Sequence, residues 1–216
     1  KPRAGPAAAS VAGVPERPSV RMVATLAAGD SFGRMLERAG AGPADAARAA
    51  ALVAAVLPPA AIEPGTQFAI TMGRRAAAGE ARSLDRLTFR ARFDLDLAIP
   101  RDDAGLTVSR RPIAVDATPL RITGTVGSSL YRSARAAGAP ARAIQQYLQA
   151  IDAHVGLDEG IAPDDTFDLV LAYRRAAGGQ ARAGDLIYAG LEHGGKPRVQ
   201  LLRWGKEGQL FEASGM

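Results

Sequence analysis

Two histidines and a scatter of carboxylates are the side chains in this sequence that could assemble a metal centre. His154-Val-Gly156-Leu-Asp158 places an imidazole and a carboxylate four positions apart, a donor pair that zinc accepts. A catalytic zinc takes about three protein ligands, and the chain holds one further histidine, His193, and no cysteine. The set is left short, so His154 and His193 are expected to be ordinary loop or turn residues. The lack of cysteine also removes disulfides and thiolate nucleophiles. Other catalytic signatures fail as well, for there is no G-x-x-x-x-G-K-S/T phosphate loop and no C-x-x-C.

The remaining polar groups have structural readings. Gly124-Thr-Val-Gly127-Ser-Ser129 could hold an anion at a helix start, but it lacks phosphate-loop spacing and a following lysine, which makes capping its expected role. Asp102-Asp103 and Asp164-Asp165 stand in turn-like sequence, where aspartate caps backbone groups. Arg74-Arg75 and Arg174-Arg175 recur at matching places and read as a solvated strand end, with a shared anion surface as the alternative.

The elements that would position these residues come in an internal repeat. The segment Phe32 to Ala41 matches Leu130 to Ala139, with closing glycines Gly40 and Gly138, and Pro64 to Gly79 matches Pro163 to Gly178. Each copy opens with a helix. Phe32, Met35, Leu36 and Ala39 share a face, with Ser31 as N-cap. A second helix follows, with Pro43 or Pro140 in its first turn, and Ile144, Tyr147, Leu148 and Ile151 repeat at helical spacing. Pro58-Pro59 is expected to end the first copy's helix.

Strands follow, marked by alternation at Phe68, Ile70 and Met72 and again at Phe167, Leu169, Leu171 and Tyr173. Leu87 to Leu97 reads as one long half-buried strand. Asp185 to His193 and Val199 to Trp204 read as a hairpin about Gly194-Gly195. The predicted fold is α+β, with two tandem related units that are each a helix pair followed by antiparallel strands. Its predicted domains are a flexible linker over 1–21, rich in Pro, Ala and Gly, an α+β domain over 22–116, and a second over 117–216. Pro100, Pro112 and Pro119 suggest a stiff connector from Arg101 to Arg121.

Composition narrows the partners. The net charge is +5, and of 27 basic residues only Lys1, Lys196 and Lys206 are lysines, leaving 24 arginines in an alanine-rich chain. They alternate with acids along its whole length, so no basic stripe points to nucleic acid. No apolar run approaches a membrane span, and the first residues lack a signal-peptide core. For an exported protein the signal would already have been removed.

Two blocks carry a family resemblance. Val23 to Phe32, including Gly29-Asp30-Ser31, together with Ile62-Glu63-Pro64-Gly65-Thr-Gln67, resembles the frame of lysin-motif-like modules. Gly124 to Pro140, Ile161 to Phe167, Ile187-Tyr-Ala189 and Gly208-Gln-Leu-Phe211-Glu-Ala-Ser-Gly215 resemble the second non-catalytic domain of bacterial periplasmic zinc murein endopeptidases of the LytM/lysostaphin type. The resemblance spans nearly all of residues 22–215. It breaks at Gly156 and Asp164, where an acid and a glycine are usual, and over Gly190 to Gly194.

In that family an H-x-G-x-D segment and a downstream H-x-H hold the zinc. Here Gly195 stands where the second histidine of H-x-H would fall. The resemblance therefore implies a non-catalytic chain without metal ligands or cofactor of its own. Zinc would belong to a catalytic domain that in the family begins just after the stretch matching Phe211 to Gly215. The parent protein would cut peptide cross-links of peptidoglycan in the periplasm or cell envelope, and this region would cover the zinc cleft until released. Its implied partners are a lysostaphin-like catalytic domain, in cis or in trans, and peptidoglycan. Glu63, beside Pro64 and Gly65 and near Asp30 and Ser31, is the candidate for binding or autoinhibition, its ordinary reading being a turn acid. Two alternatives are a self-standing peptidoglycan-binding module and an envelope adaptor that recruits a murein hydrolase. The module reading asks for exposed aromatics, and Trp204 is the only tryptophan.

Overall fold

A computed structural model describes residues 17–75, 77, 79–156, 160–205 and 209–212. Residues 1–16 of the expected linker, Asp158, Gly208 and Gly215 lie outside the described residues. The chain is α+β, with four helices and two antiparallel sheets among the described residues. It divides into two compact units, Lys1–Ile113 and Ala114–Met216.

The first unit runs β1 (Val20–Thr25), α1 (Phe32–Arg38), α2 (Pro43–Ala54), β2 (Gln67–Met72), β3 (Leu84–Arg92), β4 (Leu95–Asp102), β5 (Gly105–Leu106) and β6 (Ser109–Pro112). β1 takes in Val20 and Arg21, which their composition placed with the linker. The Ser31 side chain caps α1 by accepting the Arg34 N–H at 3.3 Å, and the helix buries Phe32, Met35 and Leu36. Pro43 opens α2 with Asp45 in its first turn, a favourable place for both residues. α2 stops at Ala54, short of Pro58-Pro59, which instead begins a single 3-10 turn over Pro59–Ala61.

The sheet order is β1-β2-β3-β4-β5, with β6 also on β4. Phe68, Ile70 and Met72 turn inward as their alternation predicts. Phe32, Phe68 and Phe89 form the aromatic centre of the core, with ring centroids 4.6–6.0 Å apart, a spacing suited to tilted aromatic pairs.

The single strand predicted over Leu87 to Leu97 is in fact the hairpin β3–β4, which reverses at Phe93-Asp94. Apolar alternation passes unbroken through the bend because Phe93 is itself buried. Arg90 holds the bend by donating from Nη2 to the Phe93 carbonyl at 2.6 Å and lying over the Phe93 ring.

The second unit runs β7 (Val115–Asp116), β8 (Leu120–Thr125), α3 (Leu130–Ala136), α4 (Ala141–Val155), β9 (Thr166–Ala176), β10 (Ala181–His193), β11 (Lys196–Trp204) and β12 (Gln209–Glu212). Its order is β12-β11-β10-β9-β7, with β8 also on β9. Ser129 caps α3 through the Arg132 N–H, so the Gly124–Ser129 loop does serve as a cap. Pro140 sits at the N-cap of α4, one position ahead of the first turn. Ile144, Tyr147 and Ile151 are buried on one α4 face.

Gly194 and Gly195, at φ +55° and +74°, join β10 to β11 in the hairpin foreseen, both residues lying in the left-handed region that tight hairpins require. The segment from Arg101 to Arg121 is not a stiff connector. It supplies the end of β4, then β5 and β6 to the first sheet and β7 and the start of β8 to the second.

The same polar device recurs within each unit. In the first, Asp45 accepts the Leu84 N–H at 2.8 Å, while Arg101 Nε donates to the Leu84 carbonyl at 3.0 Å. In the second, Gln146 accepts the Leu186 N–H at 3.0 Å and Arg203 Nε donates to the Leu186 carbonyl at 2.6 Å. A side chain of the second helix thereby satisfies a strand backbone group next to a register shift, where the ladder itself cannot.

Candidate functional site

Glu63-Pro64-Gly65-Thr66 forms a turn closed by the Thr66 N–H donating to the Glu63 carbonyl at 3.1 Å, and the Thr66 hydroxyl donates to the same oxygen at 2.6 Å. Proline followed by a glycine at φ +90° is the sequence that a type II turn demands. The turn is fastened to the end of β1, since the Leu26 N–H donates to the Thr66 carbonyl at 3.0 Å and the Gly65 N–H to the Leu26 carbonyl at 2.8 Å. These bonds bring the loop carrying Glu63, Pro64 and Gly65 against the loop that leads to Asp30 and Ser31.

The five candidates then separate by environment. Asp30 is held by Arg38, and its Oδ1 accepts the Ser31 N–H at 2.9 Å. The Arg38 guanidinium above all keeps its carboxyl below the ordinary range. Ser31 is occupied as the α1 cap. Glu63 is exposed, and among the described residues its carboxylate has no hydrogen-bond or ion-pair partner. Pro64 and Gly65 shape its turn.

A related pair of loops in the second unit borders a cleft of about 390 Å³ lined by Gly127, Ser129, Tyr131, Leu148, Ile161 and Pro163. The Val126 N–H donates to the Asp165 carbonyl at 2.9 Å and the Gly127 N–H to the Pro163 carbonyl at 2.8 Å.

The histidines do not occupy loops. His154 lies in the last turn of α4, its Nδ1 3.2 Å from Glu212, and His193 closes β10. Asp165 caps a backbone N–H as its turn-like sequence predicts, and does so from within the core. It is wholly buried, and it accepts the Ala162 N–H at 2.9 Å, lies 2.6 Å from His193 Nδ1, and has Arg198 at 3.4 Å.

Burial raises the Asp165 pKa, but the Ala162 N–H, His193 and Arg198 together outweigh it, so the carboxyl titrates below its usual range. An ionised carboxylate only accepts, so His193 Nδ1 carries the hydrogen between them. Local sequence held no signal for this clamp, because its three side chains come from a loop and two strands.

Asp164, Asp165 and His193 hold potential donor atoms within 4.8 Å of one another. They do not fit a zinc centre. Asp165 is committed to three donors, and the Arg198 guanidinium stands where a metal cation would be repelled. The arrangement ties the 160–165 loop to the β10–β11 hairpin.

On the outer face of the second sheet, Arg121, Val170, Tyr188, Leu202 and Phe211 follow one another in register across β8 to β12. Arg121 makes a two-pronged pair with Asp168, Nη2 to Oδ2 at 2.6 Å and Nε to Oδ1 at 3.0 Å. Trp204 is 72% exposed and Phe211 51%. Arg74, Arg75, Arg174 and Arg175 are all exposed, with Arg175 stacked over Tyr173.

No family model matches the sequence, and no curated protein matches it. Among solved structures, the chain is similar to a zinc-containing peptidase from Vibrio cholerae, at TM-score 0.52 and 14% identity, over 90% of this chain and 57% of that one. It is also similar to Csd3 of Helicobacter pylori, at TM-score 0.51 and 14% identity, over 89% of this chain and 50% of that one. The chain thus spans about half the length of these structures. At such identity the likeness is one of fold, and it extends over both units of the chain.

Proposed function

We propose that this chain is the non-catalytic, regulatory and substrate-positioning region of a peptidoglycan cross-link endopeptidase, and that it restrains a zinc catalytic domain. The observation that carries this reading is the fold likeness of nearly the whole chain to about half of a zinc-containing peptidase. The sequence resemblance to murein endopeptidases of the LytM/lysostaphin type points the same way. A periplasmic or cell-envelope location follows from that substrate, and no helix among the described residues is long and apolar enough to cross a membrane.

In this reading Glu63 is the group offered to the zinc. It is a carboxylate without a partner among the described residues, presented at the first position of a turn that its backbone bonds hold in place. A carboxylate is a competent zinc ligand, and a restraint worth on the order of a few kcal/mol would be strong enough to hold the closed state and weak enough to release. Asp30 and Ser31 would act by shaping the α1 start.

We read the two units as products of one duplication. The paired devices Asp45–Leu84–Arg101 and Gln146–Leu186–Arg203 support it, as do the two serine caps.

The test is to titrate the chain into a purified lysostaphin-like catalytic domain while following hydrolysis of cross-linked muropeptides. Inhibition that is relieved by Glu63→Gln is the expected result. Hydrolysis unchanged at saturating chain would overturn the regulatory reading.

One observation favours a second reading, the self-standing wall-binding module. Trp204 and Phe211 are exposed on neighbouring strands of the second sheet, where flat rings are suited to stack on sugars. Sedimentation with insoluble peptidoglycan that is lost in Trp204→Ala, without any effect on a peptidase, would favour it.

A further inference from the structure

The outer face of the first unit's sheet has a composition that core packing does not call for. Across β1, β2 and β3, Arg21, Thr71 and Arg86 stand directly opposite one another. Across β3, β4 and β6, Arg90, Asp96 and Arg111 do the same. Between these two rows runs a third, Val23, Ala69, Thr88, Ala98 and Ser109, in which every side chain is short.

Two shallow clefts of about 290 Å³ each lie over this face and share Thr88. Arg21 and Arg86 border the first, and Arg90 and Arg111 the second.

Arg21, Arg86 and Arg111 have no hydrogen-bond or ion-pair partner among the described residues. Arg90 is partly spoken for by the Arg92 and Phe93 carbonyls. Asp96 is the one acid of the three rows, so they carry four positive charges against one negative. With strands about 4.8 Å apart, Arg21 and Arg86 flank Thr71 at a Cα separation of about 10 Å. Guanidinium groups set on either side of a hydroxyl, over a floor of short side chains, can fork onto a carboxylate from both sides.

Arg86 and Arg90 are four residues apart on β3, about 14 Å. An extended peptide has the same rise, so acidic residues four positions apart along it would reach both clefts. Val23 is an exposed apolar side chain in the first cleft, 65% accessible, and a single valine falls short of the apolar patch that would enter a lipid surface.

We infer that this face binds an extended, carboxylate-bearing peptide, with one carboxylate between Arg21 and Arg86 and a second at Arg90 and Arg111. The inference holds whether or not the chain serves a peptidase.

The test uses the full chain and a short fluorescent peptide with glutamates four positions apart, alongside its glutamine counterpart, followed by anisotropy. Glutamate-dependent binding that weakens with added salt is expected. Arg21→Gln and Arg86→Gln should each lower affinity about tenfold. Arg48→Gln, an exposed position on α2, should leave it unchanged. All three side chains are exposed, and far-UV circular dichroism checks that each variant is folded. Equal binding of the glutamine peptide, no binding at millimolar concentration, or unchanged affinity in both arginine variants would overturn the proposal. Capture by anionic vesicles in the absence of peptide binding would overturn it too, and assign the face to a membrane.

Discussion

Replacing Asp165 by alanine should destabilise the second unit far more than a turn residue would. The carboxylate accepts the Ala162 N–H, faces His193 Nδ1 at 2.6 Å, and has Arg198 at 3.4 Å. Loss of the charged acceptor at Ala162 costs about 1.5–3 kcal/mol. His193 and Arg198 are 54% and 36% exposed at their side chains, so water partly replaces their bonds and each adds at most about 1 kcal/mol. The total is about 3 kcal/mol, or roughly 15 °C in the melting temperature of a domain this size.

Trp204 is the only tryptophan and lies in the second unit, so its fluorescence during urea unfolding follows that unit alone. Asp165→Asn keeps the shape and loses the charge, and about half the effect is expected. The pKa of Asp165 is lowered on folding. Its contribution is therefore present above the ordinary carboxylate range and is lost as the pH falls through the folded-state value. An Asp165→Ala variant within about 0.5 kcal/mol of the parent, the usual range for surface changes, would refute the reasoning.

Three further changes test other parts of the account. Gly124→Ala would place a Cβ 2.7 Å from the Phe167 ring, which is itself fully buried; overpacking of about 1–3 kcal/mol is expected in the urea midpoint. Tyr147→Phe removes a buried hydroxyl that donates to the Gly190 carbonyl at 2.7 Å. It should cost about 1–2 kcal/mol by thermal melt, because a buried carbonyl loses its partner. Ser31→Ala and Ser129→Ala each remove a side-chain cap and should each cost about 1 kcal/mol in the urea midpoint.

Local patterning was readable wherever burial has one period and one face. Ser31, Phe32, Met35 and Leu36 announced α1, and Phe68, Ile70 and Met72 announced β2, because capping and alternation are written in neighbouring residues. The reversal at Phe93-Asp94 was hidden because it lacks the glycine that usually marks a tight turn, while its apolar residue keeps the alternation intact. The strands β5, β6 and β7 were hidden for the opposite reason. They are edge strands of two to four residues, too short for a burial pattern to repeat, and only their pairing partners define them.

Among the candidate residues, the Pro64-Gly65 turn was legible from turn chemistry. Glu63 and Asp30, both acids beside a turn or a helix start, diverged only because Arg38 reaches Asp30 from a full α1 length away. The buried state of Asp165 depends on His193 and Arg198, 28 and 33 residues distant. Contacts of that range leave no trace in local spacing, so the turn sequence announced the backbone cap at Ala162 but neither the burial of Asp165 nor its clamp.

The most direct test of the regulatory account is to purify the natural gene product that contains this chain, then measure its bound zinc and its release of cross-linked muropeptides before and after the 1–216 region is cleaved away. The account predicts about one zinc per gene product, none retained on the 1–216 fragment, and faster hydrolysis after cleavage. A gene product without zinc, or one whose hydrolysis is unchanged or slower once the fragment is removed, would contradict it.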